Sequence, residues 1–253
     1  MNTSVKLLVV TLAFGVLHPN AYGMPPTLQQ YIAGHSGLRV SGTVIACAGG
    51  GKAVSMGDTN FPIAIYFYPI PDAAHFHYFE SDSVDINPRD YSQYREKSLP
   101  IVPLFNGCLR RFKRGPLSHE VWGIVSDEAG GRLLLSNPIR LKYPVQQTQM
   151  GNELVHIQTN RTEPIFRWTD GAVKNNAIYF EVVSDSAGNL ISGTYTDEKH
   201  WQFYHLDNVM FKIHDVHPPP TLEPETAYTF TLMGVSKDNW VNMMARKPFT
   251  TGK

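Results

Sequence analysis

The sequence predicts an all-β protein made of two tandem β-sandwich domains that follow an N-terminal leader. Two observations carry this prediction. The 253 residues include 20 glycines and 18 prolines, a density of turn formers typical of many short strands. The apolar residues fall in short runs bounded by Gly, Pro, Asn and Asp, and no stretch sustains the period of about 3.6 residues that marks a helix.

The charge balance excludes two classes of protein. There are 22 Lys and Arg against 22 Asp and Glu, and 17% of the residues are charged while 42% are hydrophobic. A disordered acidic chain or a protein that coats nucleic acid would carry a large net charge. The sequence therefore predicts a folded protein with no nucleic-acid partner.

Residues 1–23 predict a secretory signal peptide. Lys6 precedes the apolar run 7–16, and small residues flank Tyr22 in the pattern of a cleavage site after Gly23. The apolar run is too short to cross a bilayer, which takes about twenty helical residues. We expect an exported chain without a transmembrane segment, placed in the secreted, periplasmic or cell-surface space.

Two cysteines, Cys47 and Cys108, lie in the part predicted to be exported. In an oxidising compartment such a pair is more often joined than free. The bridge would contribute about 4 kcal/mol by restricting the unfolded chain. We therefore expect a Cys47–Cys108 disulfide, because neither cysteine has a second one two residues away, the spacing of zinc and redox motifs.

The first domain is predicted over residues 24–143. Its strands are expected at 38–46, 63–68, 76–79, 102–109, 120–125, 133–135 and 139–143. Strands of this number in about a hundred residues are typical of a sandwich. Between two of them, Gly130 and Gly131 predict a hairpin turn because glycine readily adopts positive φ.

A polar segment containing Pro and Gly, residues 144–152, predicts a linker. The second domain follows over residues 153–253. Its strands are expected at 154–158, 165–168, 177–183, 190–195, 201–206, 209–213, 228–235 and 241–249. A tight turn at 186–189 joins two of these strands.

Residues 153–250 resemble a fibronectin type III domain. The resemblance is carried by Trp168 in an early strand, by the run 179–183, and above all by the stretch 222–232, LEPETAYTFTL. This stretch is similar to the family's Leu-x-Pro-x-Thr-x-Tyr corner. The resemblance implies that the hydroxyl of Tyr228 bonds back to nearby backbone. The chain contains no Arg-Gly-Asp, which excludes integrin binding through that tripeptide.

The first domain resembles an immunoglobulin-like module. Residues 121–125, the Gly-Gly turn and residues 136–141 are similar to the last hairpin of such modules in exported bacterial surface proteins. An immunoglobulin variable domain has its tryptophan between the two cysteines, whereas Trp122 follows Cys108. The resemblance therefore implies the architecture without that family's pairing of bridge and tryptophan.

A basic run predicts the first candidate binding site. Four of the five residues 110–114 are basic, namely Arg110, Arg111, Lys113 and Arg114. Because Gly115 and Pro116 follow, we expect a hairpin tip that attracts sulfated, uronic or lipid-phosphate polyanions, with an affinity that falls with salt. The alternative is a strand edge or loop kept soluble by its charge.

Trp240 is the second candidate. It lies in the loop between the last two predicted strands, and an exposed indole there would anchor a sugar face or a protein pocket. The alternative is an indole that packs back onto Met233 or Met244.

The third candidate is a metal site at His75 and His77. Both imidazoles would lie on one face of a strand, as in strand-borne zinc pairs. A third ligand would have to come from His35, His119, His156 or Glu80. We find no Gly-x-Ser-x-Gly, ordered Cys–His pair or phosphate-binding glycine loop, and we predict no catalytic residue and no cofactor.

Together these observations favour a secreted, non-catalytic binding, adhesion or accessory protein. Its partner would be an extracellular protein or polysaccharide, recognised through the loops of the sandwiches. The alternative is a secreted metal-dependent hydrolase that uses His75 and His77.

Overall fold

The computed structural model describes residues 24–35, 37–55, 57–73, 75–159, 161–212 and 221–253, and the predicted signal peptide lies outside them. In these ranges the chain is almost entirely β, as predicted. The helices are α1 (Leu28–Gly34) and α2 (Lys52–Ser55). The strands are β1 (Arg39–Gly50), β2 (Ile63–Tyr68), β3 (His75–Ser81), β4 (Tyr94–Glu96), β5 (Ile101–Leu104), β6 (Leu109–Arg114), β7 (Val121–Ala129), β8 (Arg132–Ser136), β9 (Ile139–Leu141), β10 (Gln149–Met150), β11 (Val155–Gln158), β12 (Ile165–Trp168), β13 (Asn176–Ser184), β14 (Leu190–Thr196), β15 (His200–Gln202), β16 (Val209–Lys212), β17 (Ala227–Ser236) and β18 (Val241–Thr250). No helix among the described residues is long and apolar enough to span a membrane.

Helix α1 is the main element that the sequence analysis missed. Thr27 accepts a hydrogen bond from the backbone of Gln30, and the side chain of Gln30 accepts one from the backbone of Thr27. This reciprocal cap fixes the helix start. Only Leu28 of the helix is buried, so the seven residues carry too short an apolar pattern to show a helical period.

The first half of the chain forms a nine-stranded sheet in the order β4-β3-β7-β8-β1-β2-β6-β5, with β9 also paired to β7. Strand β1 joins its two parts, because its beginning pairs parallel with β8 and its end pairs antiparallel with β2. The predicted hairpin between β7 and β8 is confirmed, since Gly130 and Gly131 have φ of 56° and 71°.

The second half is a sandwich of two sheets. A six-stranded sheet, β10-β18-β17-β13-β14-β16, faces a three-stranded sheet, β11-β12-β15. Phe166 of the smaller sheet stacks on Phe230 of the larger one with ring centroids 4.0 Å apart. The predicted tyrosine corner is present, because the backbone N–H of Glu223 donates to the hydroxyl of Tyr228 over 3.0 Å.

The two halves pack against each other through an apolar cluster. Tyr66 and Leu109 of the first half lie in one buried cluster with Phe180, Met233 and Met244 of the second. Within the segment 144–152, strand β10 pairs parallel with β18. The boundaries 24–143, 144–152 and 153–253 stay predictions, and the contact between the halves is apolar and buried.

The predicted disulfide is wrong, since Cys47 and Cys108 are both free. Cys47 pairs across β1 and β2 with Tyr66, which in turn pairs with Arg111 of β6. Two strand spacings amount to about 10 Å, whereas a disulfide allows at most about 7 Å between Cα atoms. Cys108, just before β6, is therefore out of reach. Burial raises the pKa of the Cys47 thiol to about 12, which makes the thiol unreactive.

Candidate binding cleft

The basic run 110–114 forms a strand and not the predicted hairpin tip. Its residues make up most of β6, which pairs with β2 on one side and with β5 on the other. Apolar Leu109 and Phe112 are buried in this strand, and their burial against the cores on the two faces of the sheet holds the run in place. Because side chains alternate along a strand, Arg111 and Lys113 leave one face, and Arg110 and Arg114 leave the other.

Two of the four basic side chains are neutralised within the chain. Lys113 Nζ lies 2.6 Å from a carboxylate oxygen of Asp58, and the side-chain hydrogen bond from Lys113 lowers the pKa of Asp58. Arg114 binds both carboxylate oxygens of Glu80, over 2.9 and 3.1 Å. Glu80 is buried, and its hydrogen bond with the guanidinium raises the pKa of Arg114. These two cations are therefore occupied.

The other two basic residues border a cleft between the halves. We call it the arginine cleft, and its volume is about 650 Å³. Its lining residues are Tyr66, Pro103, Leu104, Phe105, Asn106, Gly107, Arg110, Arg111, Ala187, Gly188, Thr231, Met233, Met244 and Arg246. None is an aspartate or glutamate, and Arg111 and Arg246 leave the strand faces that border the cleft, whereas the Arg110 side chain leaves the opposite face of β6. The cleft is therefore positively charged through Arg111 and Arg246.

Arg111 and Arg246 have no acidic partner among the described residues, whereas Arg110, on the opposite face of β6, interacts electrostatically with the buried Asp127. Arg111 reaches the backbone oxygen of Val54 over 3.5 Å. The guanidinium carbon of Arg110 lies 4.8 Å from the ring centroid of Phe76, a cation–π contact. The Nε atoms of both Arg110 and Arg111 are buried without a hydrogen-bond partner in the described structure. Arg246 is exposed, and no ion pair forms with any of the three among the described residues.

The mouth of the cleft is a strained loop. Phe105 and Asn106 have φ of 49° and 55°, in the left-handed region that non-glycine residues rarely adopt. Such strain tends to concentrate at ligand clamps. The side-chain amide of Asn106 donates to the side-chain oxygen of Asn189 in the β13–β14 turn. The loop and the turn thus meet across the gap between the halves.

The floor of the cleft is apolar. Met233 and Met244 contribute from β17 and β18, where they are a directly opposed pair, and Pro103 and Leu104 contribute from β5. Methionine side chains adapt to irregular partners. The cleft therefore combines a cationic wall with a deformable apolar floor.

Trp240 does not lie at the surface, which corrects the prediction of an exposed anchor. Its exposed fraction is 0%, and it belongs to the core of the first half. The turn before β18 folds onto β1, where Ala48 donates to the backbone oxygen of Asn239 over 3.0 Å. A side-chain carbon at Gly50 would lie 3.1 Å from the indole, so glycine leaves the space that Trp240 fills.

His75 and His77 lie on β3 as predicted, but their surroundings differ. His75 is exposed, whereas His77 Nδ1 lies 2.7 Å from a carboxylate oxygen of Glu96 and its ring packs 4.9 Å from that of Tyr31. Among the described residues no group of three His, Cys, Asp or Glu side chains could hold a metal ion. The geometry does not favour the alternative of a metal-dependent hydrolase.

Sequence reasoning found Arg110 and Arg111 but missed the other half of the cleft. Arg246 is a single basic residue in a long strand, and the loop 105–107 lies inside a run predicted as one strand, 102–109. Asn106-Gly107 is a turn signal that could have divided that run. Nothing in the sequence shows that the β13–β14 turn faces this loop.

No family model and no curated protein sequence matches the chain. Among the solved structures, it is similar to the chicken CNTN1 FN1-FN3 domains, with 14% identity and a TM-score of 0.30 over 86% of this chain and 69% of that one. It is also similar to a two-domain fibronectin type III segment of chicken tenascin, with 10% identity and a TM-score of 0.29 over 75% of this chain and 92% of that one. Both neighbours are fibronectin type III structures.

Proposed function

We propose that this chain is an exported, non-catalytic binding protein that recognises an acidic segment of an extracellular protein in the arginine cleft. The observation that carries the proposal is the lining itself, which Arg111 and Arg246 face and which contains no carboxylate. Export is supported by the leader pattern of residues 1–23. The proposal gives the basic run the binding role that its sequence predicts, but restricts that role to Arg111, one of its four cations.

The state of the guanidinium groups supports an anionic partner. A buried donor without an acceptor is unfavourable, and the Nε atom of Arg111 is such a donor. Carboxylates are the acceptors that match a guanidinium in geometry and charge. A bound acidic side chain would satisfy donors that the described chain leaves open.

The floor supports a peptide more than a sugar chain. Met233, Met244 and Leu104 offer apolar contacts beside the arginines, so a segment that alternates acidic and apolar side chains can use both. A uronic or sulfated sugar would use only the cationic wall. Binding of a peptide should therefore depend on these apolar side chains, whereas binding of an acidic sugar chain should not.

Fluorescence anisotropy tests the proposal. The probe is a labelled peptide of alternating glutamate and leucine, and the variant is the double substitution Arg111→Gln/Arg246→Gln. We expect the variant to bind at least about tenfold more weakly, because charge-assisted hydrogen bonds contribute about 1.5–3 kcal/mol each. Arg89→Gln is the matched control, since Arg89 is exposed on a loop of the first half, and it should bind as the wild type does.

Two further measurements separate the partner classes. Leu104→Ala, at a partly buried residue of the cleft lining, should weaken binding of the peptide but not of oligogalacturonate, a purely anionic competitor. Equal peptide binding by the wild type and the arginine double variant would overturn the cleft as the site. Failure to bind the peptide, together with oligogalacturonate binding that Arg111→Gln/Arg246→Gln abolishes, would replace the protein partner in the cleft by a polysaccharide.

A further inference from the structure

A second cationic surface lies on the three-stranded sheet. His156 of β11 pairs with Arg167 of β12, and Arg167 pairs with His200 of β15. Residues in lateral register project from the same face of a sheet. The three side chains therefore form one line across the strands, which we call the basic row, spanning about 10 Å by two strand spacings.

The basic row faces solvent. His156, Arg167 and His200 are exposed, while Val155, Phe166 and Trp201 beside them are buried on the opposite face. The row borders a shallow groove of about 450 Å³, which Lys199 also lines. The groove lies on the smaller sheet of the second half, and it shares no lining residue with the arginine cleft.

The row does not serve the stability of the sheet. Directly opposed like charges destabilise strand pairs. The only side-chain partner of Arg167 among the described residues is the neutral amide oxygen of Gln158, at 2.9 Å. His156 has no hydrogen-bond or ion-pair partner in the described structure. A stabilising sheet face would alternate charge or place neutral residues here, as the next row does with Gln158, Ile165 and Gln202.

We propose that the basic row binds a linear anionic polysaccharide laid across the strands, and that binding tightens when the pH falls. Histidine is the side chain that changes charge between about pH 5 and pH 8. Arg167 supplies a permanent charge, and the two histidines are the side chains of the row whose charge can depend on pH. This inference is independent of the partner proposed for the arginine cleft.

The charges around the row allow this response. Glu198 lies 3.3 Å from Nδ1 of His200 and is the acidic side chain that contacts the row. Lys199 is paired with Asp170 over 2.7 Å, so these two cancel. On the side of β11, Lys247 donates to the backbone oxygen of Val155 and adds positive charge. Acidification therefore makes a surface that is already weakly positive strongly positive.

The composition of the face selects a polysaccharide over other polyanions. Single-stranded nucleic acids bind by stacking bases on exposed aromatic side chains, but Phe166, Trp168 and Trp201 are buried. Membrane surfaces are bound with the help of exposed apolar residues, and none of the exposed large apolar side chains lies on β11, β12 or β15. A flat surface of charge alone suits a chain of sulfates or carboxylates.

The test is biolayer interferometry with immobilised heparin, a sulfated chain, and polygalacturonate, a carboxylated chain, at pH 5.5 and 7.5 and constant ionic strength. We expect the wild type to bind at least one of them about tenfold more tightly at pH 5.5, since each added exposed charge pair is worth about two- to fivefold. Arg167→Gln should weaken binding about two- to fivefold at both pH values. His156→Gln/His200→Gln should abolish the pH dependence.

Two control variants distinguish this proposal from that of peptide binding in the arginine cleft. Arg89→Gln and the cleft variant Arg111→Gln/Arg246→Gln should bind the polysaccharides as the wild type does. Loss of binding in the cleft variant alone would assign polysaccharide to the arginine cleft and overturn the basic row. The proposal would also be overturned by failure to bind either chain, by pH dependence retained in the histidine double variant, or by tighter binding of duplex DNA or anionic vesicles.

Discussion

Two buried glutamates, one in each half of the molecule, are accommodated in different ways. In the nine-stranded sheet, Glu80 is 3% exposed and is bound by Nε and Nη2 of Arg114. In the sandwich, Glu181 is fully buried on β13, and its partners are the hydroxyls of Thr194 and Thr196, at 3.3 and 2.9 Å. Glu80 is thus paired with a cation, whereas Glu181 has none among the described residues.

The difference shows why some cations of this chain are free. Lys113 and Arg114 are occupied because carboxylate oxygens of Asp58 and Glu80 lie 2.6 and 2.9 Å from their side-chain nitrogens. Arg246 and Arg167, in the second half, form no ion pair among the described residues. Burial raises the pKa of Glu181 well above its usual range, which favours the neutral form of a carboxyl that has no cation beside it. The available positive charge of the protein is therefore decided by pairing and not by the number of basic residues.

The largest expected effect comes from removing the indole that joins the halves. Trp240→Ala should lower the free energy of unfolding by about 3–5 kcal/mol, because it leaves a cavity in the core of the first half. Urea denaturation followed by circular dichroism measures this loss. Trp240→Phe is the conservative control and should lose less than half as much. A small loss for Trp240→Ala would mean that the halves fold without this contact.

The second prediction compares the loss of stability on removing a paired cation with the loss on removing an unpaired one. Arg114→Met should destabilise the protein by about 3–5 kcal/mol, because it leaves the Glu80 carboxylate buried without its partner. Arg167→Met, on the exposed basic row, should change the stability by no more than about 0.5 kcal/mol. Similar losses for the two variants would refute the distinction. The double variant Glu80→Gln/Arg114→Met should recover part of the loss, since the orphaned charge is gone.

Glu181 predicts a pH dependence of the stability of the protein. A carboxyl whose pKa is raised in the folded state binds its proton more tightly there than in the unfolded chain. Stability is therefore greatest below about pH 4.3, the ordinary value for glutamate, and falls as the pH rises toward the folded value, by about 1.4 kcal/mol per pH unit. Glu181→Gln should remove this slope in denaturation curves between pH 5 and 8. An unchanged slope would show that Glu181 is charged in the fold.

The sequence predicted the strands well, because alternation and turn residues are local signals. Strands β2 and β12 begin and end where expected, at 63–68 and 165–168, and the tyrosine corner is recognisable from 222–232 alone. The predictions of a disulfide and of an exposed Trp240 were wrong, since both features depend on which strands become neighbours. The prediction of a basic hairpin tip failed because Phe112 and Leu109 alternate into cores on both faces of the sheet.

The binding surfaces were harder to predict than the fold. The arginine cleft combines Arg111 with Arg246, which are far apart in the chain and carry no joint motif. The basic row likewise exists only through the register of β11, β12 and β15. Pairing partners such as Glu80 for Arg114 cannot be assigned from spacing, so the sequence could indicate where positive charge is dense but not where it is available.

Hydrogen–deuterium exchange with the glutamate–leucine peptide tests the cleft most directly. Bound peptide should slow exchange of the backbone amides at 105–107 and 187–189, on the two sides of the mouth, and Arg111→Gln/Arg246→Gln should lose this protection. Protection confined to other segments, or protection that persists in the double variant, would contradict recognition in the arginine cleft.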